Sequence, residues 1–240
     1  MDRPAAPNGE GQLVWISAGP VKLEGTLSVP PDARGVVLFA HGSGSSRYSP
    51  RNRYVARELR QAGLGTLLLD LLTEHEEAED VATGHLRFNI ELLAERLVSA
   101  SDWLRHHDET HELPVGYFGA STGAAAALVA AAQNPGAVGA VVSRGGRPDL
   151  AGRALLHVSA PTLLIVGGED VPVIAVNRDA LGLLRGEKKL EIVPGATHLF
   201  EEPGALEQVA RVAAEWFQRH LHPERKQAVW RPGERTTRAG

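Results

Sequence analysis

A doubly wound α/β fold, three layers with helices on both faces of a mostly parallel sheet, is predicted by three features of the sequence. Short continuous apolar runs such as GVVLFA (35–40) and PTLLIVGG (161–168) read as strands buried on both faces. Segments with apolar residues three and four apart alternate with those runs and read as helices. Glycine or proline stands at most of the junctions. Strands alternating with helices imply parallel pairing through right-handed crossovers.

Each element can be justified in order. Residues 1–10 form a polar lead-in. LVWISA (13–18) and KLEGTLSV (22–29), separated by Gly19-Pro20, predict two strands paired antiparallel at one edge. GVVLFA supplies the third strand, and RNRYVARELRQAG (51–63) a helix that stops at Gly63. GTLLLDLL (65–72) is another buried strand. HLRFNIELLAERLVSASDWLRHH (85–107) predicts one long amphipathic helix. PVGYFG (114–119) is a strand leading into a helix over 121–134. AVGAVVS (137–143) is a strand followed by a glycine-rich loop, RGGRPDLAG. PTLLIVGG, a helix in VIAVNRDALGLLRG (173–186), a strand in KKLEIVP (188–194) and a closing helix over 204–221 complete the series. From His222 onward the apolar period stops. The expectation is a single domain over 1–222 and a mobile tail over 223–240.

Bulk properties narrow the function classes. The chain has 240 residues, 43% of them hydrophobic, enough for one substantial core. Its formal net charge of −4 implies no basic face, so a nucleic-acid partner is not expected. Cysteine is absent, which removes disulfides, thiol nucleophiles and cysteine metal sites. No apolar run approaches a membrane span, and the first residues lack the apolar centre of a signal peptide, so a cytoplasmic protein is expected.

The seam between strand 114–119 and the helix after it reads Gly119-Ala120-Ser121-Thr122-Gly123. This is the G-x-S-x-G pattern of a nucleophile elbow, a sharp turn that holds a serine hydroxyl clear of the sheet edge. Side chains two before and two after the serine would collide as strand and helix close, so small residues are needed there. The helix that begins here aims its N–H groups and positive dipole end at the same spot, and the Thr122 N–H can hold an oxyanion. The bland alternative is a tight turn with a capping serine.

A serine nucleophile needs a base and an orienting acid, which follow it in chain order as acid, then histidine. His157, His220 and His222 lie before a strand or at the end of the last helix. His198, in VPGATHLFEEPG, lies in the loop after the last strand, at the carboxyl edge where open α/β sheets bind ligands. PTLLIVGGEDVPV places Glu169 and Asp170 just past a strand; Asp170 is the favoured acid, Glu169 its understudy, and Asp179 falls within a helix. A non-catalytic Asp170 would be a turn or cap residue. The loop after the third strand, His41-Gly42-Ser43-Gly44, should give the second oxyanion N–H from Ser43, with Gly44 next and His41 bracing the loop. The same stretch resembles a dinucleotide fingerprint, but Arg47 stands where the third glycine is needed.

HGSGSSRYSPRN, GASTGAAAAL, LLIVGGED and GATHLFEEPG, in this order over about residues 12–221, resemble the α/β-hydrolase superfamily and, within it, small dienelactone-hydrolase-like proteins. The resemblance implies an α/β-hydrolase fold and hydrolysis of a carboxylic ester or related acyl compound without a cofactor or metal. Dienelactone hydrolase itself uses a cysteine nucleophile where this chain has Ser121, so lactone specificity does not carry over. A small-molecule acyl substrate is the expected partner. A thioesterase, a peptidase or a non-catalytic binding module of the same fold are the alternatives.

Further candidates lie along the same edge. Asp70 and the acidic stretch after it could wall the site against anionic substrates, or form a solvated loop. Arg144 and Arg147, with His41 and Gly44, could stand on the substrate rim; the arginines could grip a carboxylate or pair with nearby acids. RHHDETHE (105–112) clusters three histidines at a helix end without a metal-binding pattern. Phe88, Trp103, Trp216 and Phe217 read as core. The connection 143–160 is too short for a cap domain, so an open site for small or medium acyl groups is expected.

Overall fold

The computed structural model describes residues 11–222; the polar lead-in and the tail lie outside the described residues. Eight strands form one sheet in the order β1-β2-β4-β3-β5-β6-β7-β8. They are β1 Gln12–Ala18, β2 Val21–Ser28, β3 Val36–Ala40, β4 Gly65–Leu69, β5 Val115–Ala120, β6 Val138–Arg144, β7 Thr162–Gly167 and β8 Lys188–Val193. β1 and β2 pair antiparallel, β2 meets β4 antiparallel, and every later pairing is parallel. The helices are α1 Pro50–Gln61, α2 Glu74–Thr83, α3 Ile90–His106, α4 Thr122–Gln133, α5 Val171–Leu183 and α6 Ala205–His220. Among the described residues no helix is long and apolar enough to cross a membrane.

Strand alternation builds two cores. Val36, Leu38, Val115, Tyr117, Val141 and Leu164 face α3, α4 and α5, while Val37, Phe39, Phe118, Val142 and Ile165 face α1 and α6. The alanine-rich α4 is buried almost all round, which lets it lie close against β5. The closing helix α6 turns Val209, Ala213, Trp216 and Phe217 inward, as its spacing predicts.

Three segments differ from the sequence expectation. The acidic stretch after Leu72 is not a solvated loop but the helix α2, opened by a capping box in which Thr73 and Glu76 satisfy each other's backbone N–H groups. The long helix expected over 85–107 starts only at Ile90, capped by Asn89; the turn before it leaves Phe88 58% exposed rather than in the core. The glycine-rich loop after β6 passes directly into a 3₁₀ segment, Pro148–His157.

Tyr117 shows how the core handles a polar group. Its ring is fully buried in β5, and its hydroxyl lies 2.6 Å from the Ser101 hydroxyl of α3. Burial pushes the phenol up to about 12. Tyr117→Phe leaves the buried Ser101 hydroxyl without that partner and should cost about 1–2 kcal/mol in denaturant-induced unfolding.

Candidate active site

Ser121 sits at the end of β5 with φ 51° and ψ −120°, one of only two non-glycine residues of positive φ among those described. Such a backbone is strained and persists only where packing imposes it. The packing is visible on both sides. A Cβ at Gly119 would fall 2.4 Å from the Ala124 Cα, and one at Gly123 would fall 2.3 Å from the Ala40 carbonyl oxygen. The Ser121 N–H donates to the Arg144 carbonyl, and its own carbonyl accepts from Ala124 and Arg147. Although Ser121 holds the N-cap position of α4, its side chain makes no capping bond. The capping-serine alternative therefore fails, and the hydroxyl is left half-exposed at the sheet edge.

Asp170 and His198 meet. The His198 Nδ1 lies 2.6 Å from the Asp170 carboxylate, with the imidazole 39% and the carboxylate 13% exposed. Asp170 is the N-cap residue of α5, yet it makes no capping bond either; its carboxylate is turned to the histidine instead. Glu169 is exposed and Asp179 lies within α5. The imidazole lies over the turn after β6, where a Cβ at Gly145 would be 3.5 Å from His198 Cε1 and Nδ1. That turn adjoins the Arg144 carbonyl that holds the Ser121 N–H. Ser121 Oγ and His198 Nε2 make no hydrogen bond to each other.

The loop after β3 closes the other side. Gly42 packs against the elbow, with a Cβ there 3.1 Å from the Ser121 Cβ. The Ser43 N–H donates to the Thr122 hydroxyl at 2.9 Å, so the two residues named for the oxyanion are joined to each other. His41 is buried in the cavity wall beneath the rim rather than standing on it. Its Nε2 accepts from the Leu71 N–H at 3.0 Å, which leaves the proton on Nδ1, 2.9 Å from the Gly42 carbonyl. Burial holds the imidazole below its ordinary value, in keeping with a neutral ring. Arg47 ties the same loop to the end of β4: its N–H donates to Asp70 at 2.6 Å, and its guanidinium pairs with Asp70 and Glu24.

A family model described as the dienelactone hydrolase family matches residues 23–223. The chain belongs to that family. The solved structure of a dienelactone hydrolase from Anabaena variabilis is 66% identical, with a TM-score of 0.86 over 88% of this chain and 98% of that one. An α/β serine hydrolase without lid from Xanthomonas campestris shares the fold at 20% identity and TM-score 0.68, over 91% and 98% of the two chains. A Mycobacterium tuberculosis protein whose name proposes a phosphoribosyl transferase is 57% identical over 221 residues, 92% of this chain. The chain spans about half (49%) of that relative's length. Family membership supports hydrolase chemistry in general.

Beside His41, one more rim assignment changes, that of Arg144, while Arg147 takes the acid pairing that the sequence offered for it. Arg144 does not reach the rim: it is 7% exposed, and strand alternation turns it to the α1 side, opposite Ser143. Burial and the nearby Arg51 lower its guanidinium to about 10, and its Nε and Nη1 find no hydrogen-bond partner. Arg147 pairs with Asp149 at 2.6 and 2.8 Å. Gly44 stays on the exposed loop and lines the cavity. That cavity, about 290 Å³, runs from Gly42, Ser43 and Thr122 to Leu72, Leu93, Glu77 and Val81. One wall is thus α2, which the sequence expectation of an open, uncapped site did not include. Its signal was present in Thr73-x-x-Glu76, a capping-box spacing. Among the described residues no group of three or more His, Cys, Asp or Glu could hold a metal ion. The histidines at 105–112 serve the end of α3, where His106 Nδ1 lies 2.7 Å from the Asp102 carbonyl.

The loop braces give a stability test. Arg47→Ala leaves the mostly buried Asp70 without its cation and should cost about 3 kcal/mol in chemical denaturation. Asp70→Asn, which keeps an acceptor for the Arg47 N–H, should cost less.

Proposed function

We propose that this chain is a serine hydrolase that cleaves carboxylic esters of small to medium acyl substrates through an acyl-enzyme. The observation that carries this reading is the 2.6 Å bond from His198 to Asp170 beside a strained, uncapped Ser121. In the first step His198 Nε2 takes the Ser121 proton as Oγ attacks the ester carbonyl carbon. Asp170 accepts from Nδ1–H, fixes the tautomer and stabilises the imidazolium. The carbonyl oxygen becomes an oxyanion held by the Thr122 N–H and the positive end of α4. The Ser43 N–H joins by exchanging the Thr122 hydroxyl for the oxyanion. Each such donor contributes a few kcal/mol, about 3, to the transition state. His198 then returns the proton to the leaving alkoxide. Water enters, loses a proton to His198 and releases the acid, and Ser121 recovers its proton.

The name of the M. tuberculosis relative does not redirect this reading. The half of that protein aligned with this chain is 57% identical to it, and this chain matches a hydrolase family, so we assign the transferase name to the other half. Thioesters and amides would engage the same groups, and a matched ester, thioester and anilide panel ranks them.

Ser121→Ala should lower kcat for a 4-nitrophenyl ester by at least about 10³-fold with an unchanged melting temperature. It should also abolish labelling by a fluorophosphonate, located by mass spectrometry. A variant with the wild-type rate ends the proposal. Asp170→Asn should keep fluorophosphonate reactivity weak but detectable and cut kcat by roughly 10³–10⁴.

A further inference from the structure

The geometry points to a cation-selecting cavity: Glu77 favours esters that carry a positive charge and disfavours anionic ones. This rests on the serine-hydrolase reading above and names its substrate class. The cavity of about 290 Å³ begins at Ser43 and Thr122, so one end of any ester reacting at Ser121 can extend into it. Its apolar walls come from Leu71, Leu72, Leu93 and Val81. Four of its lining residues are titratable: His41, Glu77, Asp80 and Arg87. Three of them contribute no net charge. His41 is buried with both ring nitrogens engaged by the backbone. Asp80 is held by the Leu86 and Arg87 N–H groups and by the Arg87 Nε, at 2.6 Å from the last. That bond, with the 2.6 Å contact from the Arg87 Nη2 to the Asp80 carbonyl, also occupies Arg87.

Glu77 remains. It belongs to the cavity wall, is half-buried, and its carboxylate has neither an ion-pair nor a hydrogen-bond partner among the described residues. Behind it, across the adjoining cleft, stand Asp70, Glu24 and Glu74 against Arg47 and Lys22, so the field from that side is also negative. Burial, then Asp70, raise the Glu77 carboxyl above its ordinary range despite the pull of Arg87. An ammonium group placed in the cavity relieves both effects, because it gives the carboxylate the counter-charge that α2 withholds. A carboxylate placed there meets an uncompensated like charge.

The test compares kcat/KM for three 4-nitrophenyl esters at low ionic strength: 4-(trimethylammonio)butanoate, its uncharged isostere 5,5-dimethylhexanoate, and hemiglutarate. The expected order is cationic, neutral, anionic, with about tenfold between neighbours. Added salt should compress the differences. Glu77→Gln should bring the cationic-to-neutral ratio within about threefold of one, and Glu77→Lys should invert the order. Equal rates in the wild type, or a preference for the hemiglutarate, overturn the inference. So does a cationic preference that survives both substitutions. Hydrolysis of all three esters that persists in Ser121→Ala overturns the catalytic reading instead, which keeps the two failures apart.

Discussion

The close approach of β5, α4 and the β3 loop is the constraint on which the site depends. Gly123 lies against the Ala40 carbonyl and Gly119 against the Ala124 backbone, at separations no side chain could occupy. Held from both sides, the one residue between them that must turn, Ser121, takes a left-handed backbone that serine does not choose by itself. The strain comes from chain packing, so it is present before any substrate arrives. It also explains the missing cap bond. A serine with ordinary N-cap dihedrals would fold its hydroxyl onto the helix N–H groups, whereas this one is rotated away from them.

The other parts of the site are held by similar means. The β3 loop is fixed twice to the end of β4, once by the His41 imidazole on the Leu71 N–H and once by Arg47 on Asp70. Leu71 is also gripped from α3, where Arg96 reaches its carbonyl and Glu76 of α2. One short segment after β4 therefore connects the β3 loop, the helix that walls the cavity and the long helix beneath it. The His198 loop is fixed differently: it carries the second positive-φ residue, Phe200, whose buried ring anchors the turn two residues beyond His198.

Much of this was legible in the sequence. Chain order and strand ends singled out Ser121, Asp170 and His198, and the structure brings the last two into contact. The edge hairpin and the alternation of elements also followed from apolar spacing. What escaped was whatever spacing does not encode. Among the residues of α2 only Asp80 is buried, so the helix has no apolar stripe to reveal it; it is held by a capping box and by Arg96. Phe88 looked like part of a helix face because the pattern was extended across Asn89, whose side chain caps α3. Arg144 was placed on the rim because it ends a strand. The two-residue alternation that puts Val141 and Ser143 on one face puts Arg144 on the other, so its position was readable had the strand period been carried to its last residue.

The acids after β4 show why composition alone misleads about a binding site. Glu74, Glu76, Glu77, Glu79 and Asp80 crowd one short stretch, and as a sum they suggest a strongly negative wall. In the structure Glu76 is taken by Arg96 and Asp80 by Arg87, while Glu79 lies 3.6 Å from the His75 ring at the exposed face. Paired charges cancel within a few ångströms, and exposed ones are screened by water and salt. The field that a substrate meets is therefore set by what is left unpaired and sheltered. On the cavity side that is Glu77; on the opposite face of the sheet it is Arg144, buried beside Arg51 with no carboxylate on its guanidinium. The two uncompensated charges lie on different sides of the same edge: Glu77 lines the cavity, and Arg144, buried on the α1 side, is not among its lining residues. On the hydrolase reading proposed above, only the first faces a substrate that enters beside Thr122.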